Sequence, residues 1–212
     1  MEKIKAAASG RFGRLLILAA GYAWFFLLEG LKPEPVFWAY WPLDDAIPFI
    51  SQFIIPYVLW YFYTFGPLFW YYFHDDVLFA RLSAFLSAGM FFSCLVYSVF
   101  PNGQQLRPES VGGDIFSQMC AALYAIDTPT NSFPSLHIIF SIGVHTVIMR
   151  DKRAGRAVKL GSLALCVLIC LSTMFVKQHS VVCVLGGVVV AAALYPIVYR
   201  REIFRKKAII SN

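Results

Sequence analysis

Residues 160–199 read LGSLALCVLICLSTMFVKQHSVVCVLGGVVVAAALYPIVY, and this stretch decides the fold of the chain. Two apolar runs, Leu160–Val176 and Val181–Tyr199, stand on either side of the short polar segment Lys177–Ser180. Each run is close to the length that crosses the hydrocarbon core of a bilayer as a helix, about 20 residues. The stretch therefore predicts two membrane-spanning helices joined by a tight turn.

The composition of the whole chain extends this prediction to an integral membrane protein. Apolar residues make up 59% of the 212 residues, charged residues make up only 14%, and the mean hydropathy is +0.65. Soluble domains carry roughly 25% charged residues. A chain of this length has room for one helical bundle, so we expect an all-α fold and a single transmembrane domain over residues 1–212.

Apolar runs along the whole chain predict a bundle of six transmembrane helices. The other four candidates precede the stretch quoted above, and the last of these is short for a full crossing. They are approximately Leu15–Leu31, Ile50–Phe73, Val77–Phe100 and Ser135–Met149. The only long loop is expected at about Pro101–Phe133.

The distribution of Lys and Arg predicts the orientation of the bundle. Fifteen of the 18 cations fall on one face: at the N-terminus, in the connections after the second and fourth spans, and in the C-terminal tail. Cytoplasmic segments carry such an excess, so both termini are expected to be cytoplasmic. Lys32, Arg107 and Lys177 then lie on the extracytoplasmic face. The net charge of +6 is a topology signal, and nucleic-acid binding is not expected.

Polar residues that suit phosphate chemistry gather on the expected outer face. Arg107 can grip two phosphate oxygens, and Lys177 adds a second cation. Ser135 stands at the expected start of the fourth span, where free backbone N–H groups favour an anion. His137 follows in the first turn, and His179 stands at the start of the last span. A guanidinium, a helix start and two imidazoles are the parts needed to break a phosphate ester without a metal.

Each of these residues also has an ordinary structural explanation. Arg107 alone is typical of an interfacial anchor, Pro134-Ser135 of helix capping, and His179 of a histidine satisfied by water. Position 183, one helical turn beyond His179, carries Cys183, which is a weak hydrogen-bond partner for the imidazole. No set of His, Cys, Asp and Glu has convincing metal-ligand spacing, so no metal and no other cofactor is expected.

The same residues resemble the three signatures of the type-2 phosphatidic acid phosphatase superfamily. The matching segments are Leu106-Arg107-Pro108, then Asn131-Ser132-Phe133-Pro134-Ser135-Leu136-His137, then Ser172-Thr173 with Lys177-Gln178-His179. The second and third are similar to the inositol phosphorylceramide synthase and sphingomyelin synthase branch. The resemblance implies that His179 is a nucleophile that forms a phosphohistidine, that His137 is the general acid, and that Arg107 binds phosphate.

The function that the resemblance implies is a membrane-embedded lipid phosphate phosphatase or phosphotransferase. It would act at the extracytoplasmic face of a plasma or inner membrane, with a phosphorylated lipid as substrate. The head group would lie among Arg107, Ser135 and Lys177. Water or an alcohol would then release the phosphoryl group.

Position 183 departs from the pattern of the superfamily. Its members carry an aspartate there, which orients the nucleophilic histidine, whereas this chain carries Cys183. An outer carboxylate such as Asp127 or Asp114 is a candidate replacement. Two alternatives therefore stay open: a head-group phosphotransferase like the synthases, and a degenerate member that binds anionic lipid without turnover.

Overall fold

The computed structural model describes residues 2–31 and 34–210, with side chains described for 10–31 and 34–199. The described chain is 74% helical and has eight α-helices. Five of the helices in these ranges are long and apolar enough to cross a membrane. The all-α prediction is confirmed, and the five apolar helices are those of a multi-pass membrane protein.

The described chain contains five long and three short α-helices. The long helices are α1 (Glu2–Leu31), α3 (Ile54–His74), α4 (Asp76–Val99), α7 (Arg156–Phe175) and α8 (Val181–Ile210). The short helices are α2 (Leu43–Ala46), α5 (Ile115–Ile126) and α6 (Leu136–Arg150), with a 3-10 turn at Ser51–Phe53. Two short strands, β1 (Phe37–Trp38) and β2 (Asn102–Gly103), pair in parallel.

The predicted segments differ from the structure at two places. The fourth predicted span, Ser135–Met149, is the helix α6, which has only 15 residues. At its rise per residue α6 is about 22 Å long, shorter than the bilayer core of about 30 Å. The expected loop 101–133 contains β2 and α5. Helix α5 begins there because the Asp114 carboxylate accepts hydrogen bonds from the N–H groups of Phe116 and Ser117 at 2.9 and 3.1 Å.

Helix α6 occupies the centre of the bundle, where it contacts α3, α4, α7 and α8. Most of its side chains are buried. Gly143 lies against Phe85 of α4, and Gly187 of α8 lies against Ile138. Small residues of this kind let apolar helices approach one another closely. The packing carries the first turn of α6, which contains His137, into the interior of the protein.

The two ends of the bundle differ in charge. At one end, Arg11 of α1 pairs with Asp76 at the start of α4, and Arg153 pairs with Asp75 at 3.2 Å. These pairs bring the first half of α1 together with the α3–α4 and α6–α7 connections, and the second connection carries Lys152 and Arg153. At the opposite end the start of α6 meets the start of α8. The candidate site lies at this second end.

The segment before α6 is fixed by the buried side chain of Asn102. Its Oδ1 atom accepts hydrogen bonds from the N–H groups of Ser132 and Phe133 at 3.0 and 2.7 Å. Its Nδ2 atom donates to the Phe133 carbonyl at 3.0 Å. One amide thus satisfies three backbone groups of the chain that leads into α6, which holds that chain in one conformation.

Candidate functional site

The structure brings His137 and His179 together. His137 lies in the first turn of α6, and His179 lies in the turn between α7 and α8. The Nε2 atom of His179 is 3.3 Å from the Nδ1 atom of His137, and both rings are largely buried. An imidazole from a helix and an imidazole from a turn therefore lie side by side, as a nucleophile and a general acid acting on one phosphate must do.

The ring of His179 is oriented by the main chain. Its Nδ1 atom lies 3.1 Å from the carbonyl oxygen of Ser132. Because a carbonyl only accepts hydrogen bonds, Nδ1 carries the proton and the lone pair of the neutral ring is on Nε2. Nε2 is the atom that faces His137. This is the tautomer that a nucleophilic histidine attacking through Nε2 requires.

Cys183 contacts the residue that orients His179, and not the imidazole itself. Its thiol lies 3.7 Å from the hydroxyl oxygen of Ser132, and the side chain is 0% exposed. The Ser132 carbonyl thus does the orienting that the sequence assigned to position 183. Asp114 caps α5 instead of reaching the histidines, and Asp127 bonds other partners.

Both histidines line a cavity of about 200 Å³. Side chains of α1, α3, α4 and α6 form its apolar walls, among them Phe26, Trp60 and Tyr97. Two carboxylates, Glu29 and Asp127, line it as well, and no Lys or Arg is among the described residues of its lining. The cavity therefore combines a wall suited to a lipid chain with an acidic polar end.

Asp127 is an acidic group that borders this cavity. Its Oδ2 atom accepts hydrogen bonds from the Tyr57 hydroxyl at 3.1 Å and from the Gln178 amide at 2.8 Å. The Asp127 side chain lines the cavity, and protein covers the rest of its surface. Burial, with a smaller contribution from the Glu29 carboxylate, raises the pKa of Asp127 to about 6.

Glu29 links α1 to the segment before α6. Its two carboxylate oxygens accept hydrogen bonds from the Thr128 hydroxyl and the Asn131 amide, both at 2.5 Å. Glu29 falls inside the predicted span Leu15–Leu31, and no functional role was expected for it. The signal that could have identified it is an ionisable residue at the end of an apolar run, since such residues mark functional or structural sites in membrane proteins.

Arg107 lies near the histidines without lining the cavity. Its guanidinium donates twice to the Oε1 atom of Gln178, at 3.0 and 2.5 Å. It also donates to the carbonyls of Asp127 and Tyr124, at 2.6 and 3.2 Å. Since Gln178 precedes His179 in the chain, Arg107 is linked to the site through the side chain of Gln178.

The other two expected phosphate ligands are directed elsewhere. The Lys177 ammonium donates to the carbonyls of Asp44 and Ile47 at 2.9 and 2.5 Å. Ser135 is 0% exposed, and its hydroxyl has no hydrogen-bond partner among the described residues. Its N–H group donates to the Cys183 carbonyl at 3.1 Å. Lys32, the third outer cation, lies outside the described residues.

Burial keeps His179 neutral. Loss of water lowers its pKa to about 4, and the charge of Arg107 acts in the same direction, although the bond to Ser132 opposes both. The neutral ring therefore keeps its lone pair on Nε2, the atom that faces His137 Nδ1. In the described part of the chain, no group of three or more His, Cys, Asp or Glu side chains could hold a metal ion.

No protein-family model matches the chain, and no curated protein or solved structure matches it either. The candidate function therefore depends on the residues and on their geometry.

Proposed function

We propose that this protein is a membrane-embedded lipid phosphate phosphatase or phosphotransferase that works through a phosphohistidine on His179. The observation that carries the proposal is the pairing of His179 Nε2 with His137 Nδ1 at 3.3 Å, with His179 Nδ1 bonded to a carbonyl. The resemblance to the type-2 phosphatidic acid phosphatase superfamily supports the same chemistry, since His137 and His179 stand in two of its three signatures.

The proposed reaction uses Nε2 of His179 as nucleophile and Nδ1 of His137 as general acid. The Nε2 lone pair of His179 attacks phosphorus, and the bond between phosphorus and the lipid oxygen breaks. His137, protonated on both nitrogens beside the bound anion, gives its Nδ1 proton to the leaving alkoxide. The oxygen of water or an alcohol then attacks phosphorus, the bond between phosphorus and His179 Nε2 breaks, and His137 Nδ1 takes the proton of the attacking hydroxyl. Positioning supplies most of the acceleration in such a transfer.

Arg107 is the proposed phosphate ligand. Its position next to Gln178, which precedes His179, supports this role. A phosphate oxygen would replace Gln178 Oε1 as the acceptor of the guanidinium, so the Gln178 amide must turn away when substrate binds. Lys177 and Ser135 have no part in this scheme, because the Lys177 ammonium is bonded to backbone carbonyls and Ser135 is buried outside the lining of the cavity.

The proposed topology has six spans with cytoplasmic termini. Helix α6 would be the fourth crossing, short but enclosed by longer helices. Two observations support the orientation: Arg11 and Arg153 lie at the end opposite the histidines, and most of the chain's cations fall in the segments of that end. The histidines would then face the extracytoplasmic side of a plasma or inner membrane, within one domain.

A second candidate is a member of the superfamily that binds a lipid without turnover. Its specific support is Arg107, whose guanidinium is bonded to acceptors of the protein itself. A head-group phosphotransferase is a variant of the first candidate, in which a lipid alcohol replaces water as the acceptor.

Phosphate release and trapping of the intermediate test the proposal. Purified protein in lipid nanodiscs would be given ³²P-labelled phosphatidic acid and isoprenyl phosphates. The variant His179→Ala would be compared with a matched change, His74→Ala, which lies at the end of α3 away from the site. We expect release by the wild type and by His74→Ala, and an acid-labile, alkali-stable label on the protein that His179→Ala lacks. Release that survives His179→Ala contradicts the mechanism. A wild type that binds these lipids but releases no phosphate supports the second candidate.

A further inference from the structure

The start of α8 is occupied by a carboxylate of the protein itself. Asp44, which is 2% exposed, accepts a hydrogen bond from the Val181 N–H on Oδ1 at 2.8 Å. Its Oδ2 atom accepts one from the Ser180 hydroxyl at 2.5 Å. A helix start favours an anion because its first N–H groups lack intrahelical partners. The start of α8 is therefore filled by a carboxylate of the protein.

The segment that carries Asp44 also holds the other side of the His179 turn. Lys177 precedes His179 by two residues and donates to the carbonyls of Asp44 and Ile47. The Ile50 N–H donates to the Phe175 carbonyl at 3.0 Å. Contacts from residues 44–50 thus bracket His179 on both sides, at 175 and 177 before it and at 180 and 181 after it.

The turn needs such support because its backbone contains a residue in a strained conformation. Lys177 has φ of 53°, in the left-handed region that non-glycine residues seldom adopt. The N–H groups of Gln178 and His179 both donate to the Thr173 carbonyl at 2.9 Å. A segment that combines a strained residue with a shared acceptor keeps its shape only when surrounding contacts hold it.

We propose that Asp44 is the positioning residue of His179: through Ser180, Val181 and Lys177 it fixes the turn that keeps the imidazole between Ser132 and His137. The expected effect on kcat rests on the proposed function, whereas the expected effect on the position of His179 does not. Asp44 touches no reacting atom. It determines where the backbone of His179 is, whereas Ser132 determines which nitrogen of the ring carries the proton.

The matched pair Asp44→Asn and Asp45→Asn tests this role. The neighbouring Asp45 is exposed and accepts a hydrogen bond from Tyr40 at 2.6 Å, so the same chemical change there leaves the turn alone. We expect Asp44→Asn to lower kcat for phosphate release by about 100-fold with little change in KM, as small displacements of reacting groups do. Asp45→Asn should match the wild type.

A second readout does not depend on activity. In protein labelled with ¹⁵N-histidine, with the His179 signals assigned from His179→Ala, we expect one His179 tautomer, protonated on Nδ1, in the wild type and in Asp45→Asn. Asp44→Asn should show exchange broadening or a mixture of tautomers. Identical His179 spectra for the two Asp variants overturn the inference, even if the wild type releases no phosphate and the proposed function fails.

Ser180→Ala covers the case in which Asp44→Asn does not fold. This change removes one of the three donors to the Asp44 carboxylate and leaves the N–H groups of Val181 and Trp41 in place. We expect a smaller change of the His179 signals in the same direction. A Ser180→Ala spectrum identical to that of the wild type would then count against a positioning role for Asp44.

Discussion

The Nδ1 atom of His179 lies 3.1 Å from the carbonyl oxygen of Ser132, so a main-chain group orients this imidazole. A carbonyl selects the same tautomer that a carboxylate selects, because both only accept hydrogen bonds. It carries no full charge, however, and stabilises a cationic imidazole less. The relationship explains how a chain with Cys183 still holds His179 in the tautomer needed for attack.

Replacement of Cys183 should affect stability more than orientation. We expect Cys183→Ala to leave the His179 tautomer unchanged and phosphate release within about threefold of the wild type, because the thiol contacts only the Ser132 hydroxyl near the site. Cys183→Asp should lower the free energy of unfolding by about 3 kcal/mol, since it buries a charge. Unfolding in detergent and ¹⁵N spectra check both. Loss of the Nδ1-protonated form in Cys183→Ala would show that the carbonyl alone does not orient the ring.

Asp127 should make the stability of the protein depend on pH. Its pKa in the folded protein is raised to about 6 from 3.8, so folding favours the protonated carboxyl. The contribution is complete below pH 4 and is lost as the pH rises through 6, a change of about 3 kcal/mol. We expect Asp127→Asn to be more stable relative to the wild type at pH 7 than at pH 4. A difference in unfolding free energy that is constant over this range would contradict the burial argument.

Arg107 should be irreplaceable by Lys. The fork of its guanidinium reaches Gln178 and the carbonyls of Tyr124 and Asp127 at once, and an ammonium cannot reproduce that geometry. We expect Arg107→Lys to lower the free energy of unfolding by about 2 kcal/mol. Arg14→Lys, at an exposed position of α1, is the matched change and should be neutral. Equal midpoints in thermal unfolding for the two variants would mean that the guanidinium hydrogen bonds of Arg107 do not stabilise the fold.

Gly187 should be essential for the approach of α8 to the start of α6. A Cβ atom there would lie 2.9 Å from the Ser135 carbonyl and 2.7 Å from the Ile138 side chain. We expect Gly187→Ala to destabilise the protein by about 2 kcal/mol and to lower activity by moving His137. Gly161→Ala on α7 meets nothing within 4 Å and should stabilise the helix by about 0.5 kcal/mol. Unfolding curves of the two variants that shift together would refute this packing argument.

The apolar runs were enough to predict the helices. A run of about 20 apolar residues has few alternatives to a spanning helix, so the boundaries of α3, α4 and α7 were close. Helix α1 begins at Glu2 and α8 ends at Ile210, both beyond the predicted apolar runs, because polar residues continue these helices outside the apolar segments. Helix α5 was missed because its apolar run, Ile115–Ile126, has only 12 residues and begins at a local cap, Asp114, within the expected loop. The shortness of α6 was visible, but its central position was not.

The polar contacts of the site were beyond a reading of the sequence. The motifs indicated His137, His179 and Arg107, yet the partners of these residues come from elsewhere in the chain. Asp44 lies 136 residues from Ser180, and Gln178 bonds Arg107 across 71 residues. Such pairings depend on how helices pack, and a residue type alone does not reveal whether its polar group faces a cavity or a carbonyl.

Trp60 gives the protein an internal optical reporter. Its indole ring lies 4.3 Å from the His137 imidazole, centroid to centroid, and both rings line the cavity. A charge gained or lost on that imidazole, or a lipid chain displacing water from the walls, changes the field at the indole and therefore its emission. The chain has five tryptophans, so occupancy of the cavity can be followed by fluorescence in a variant that keeps Trp60 as its one tryptophan, before any question of turnover arises.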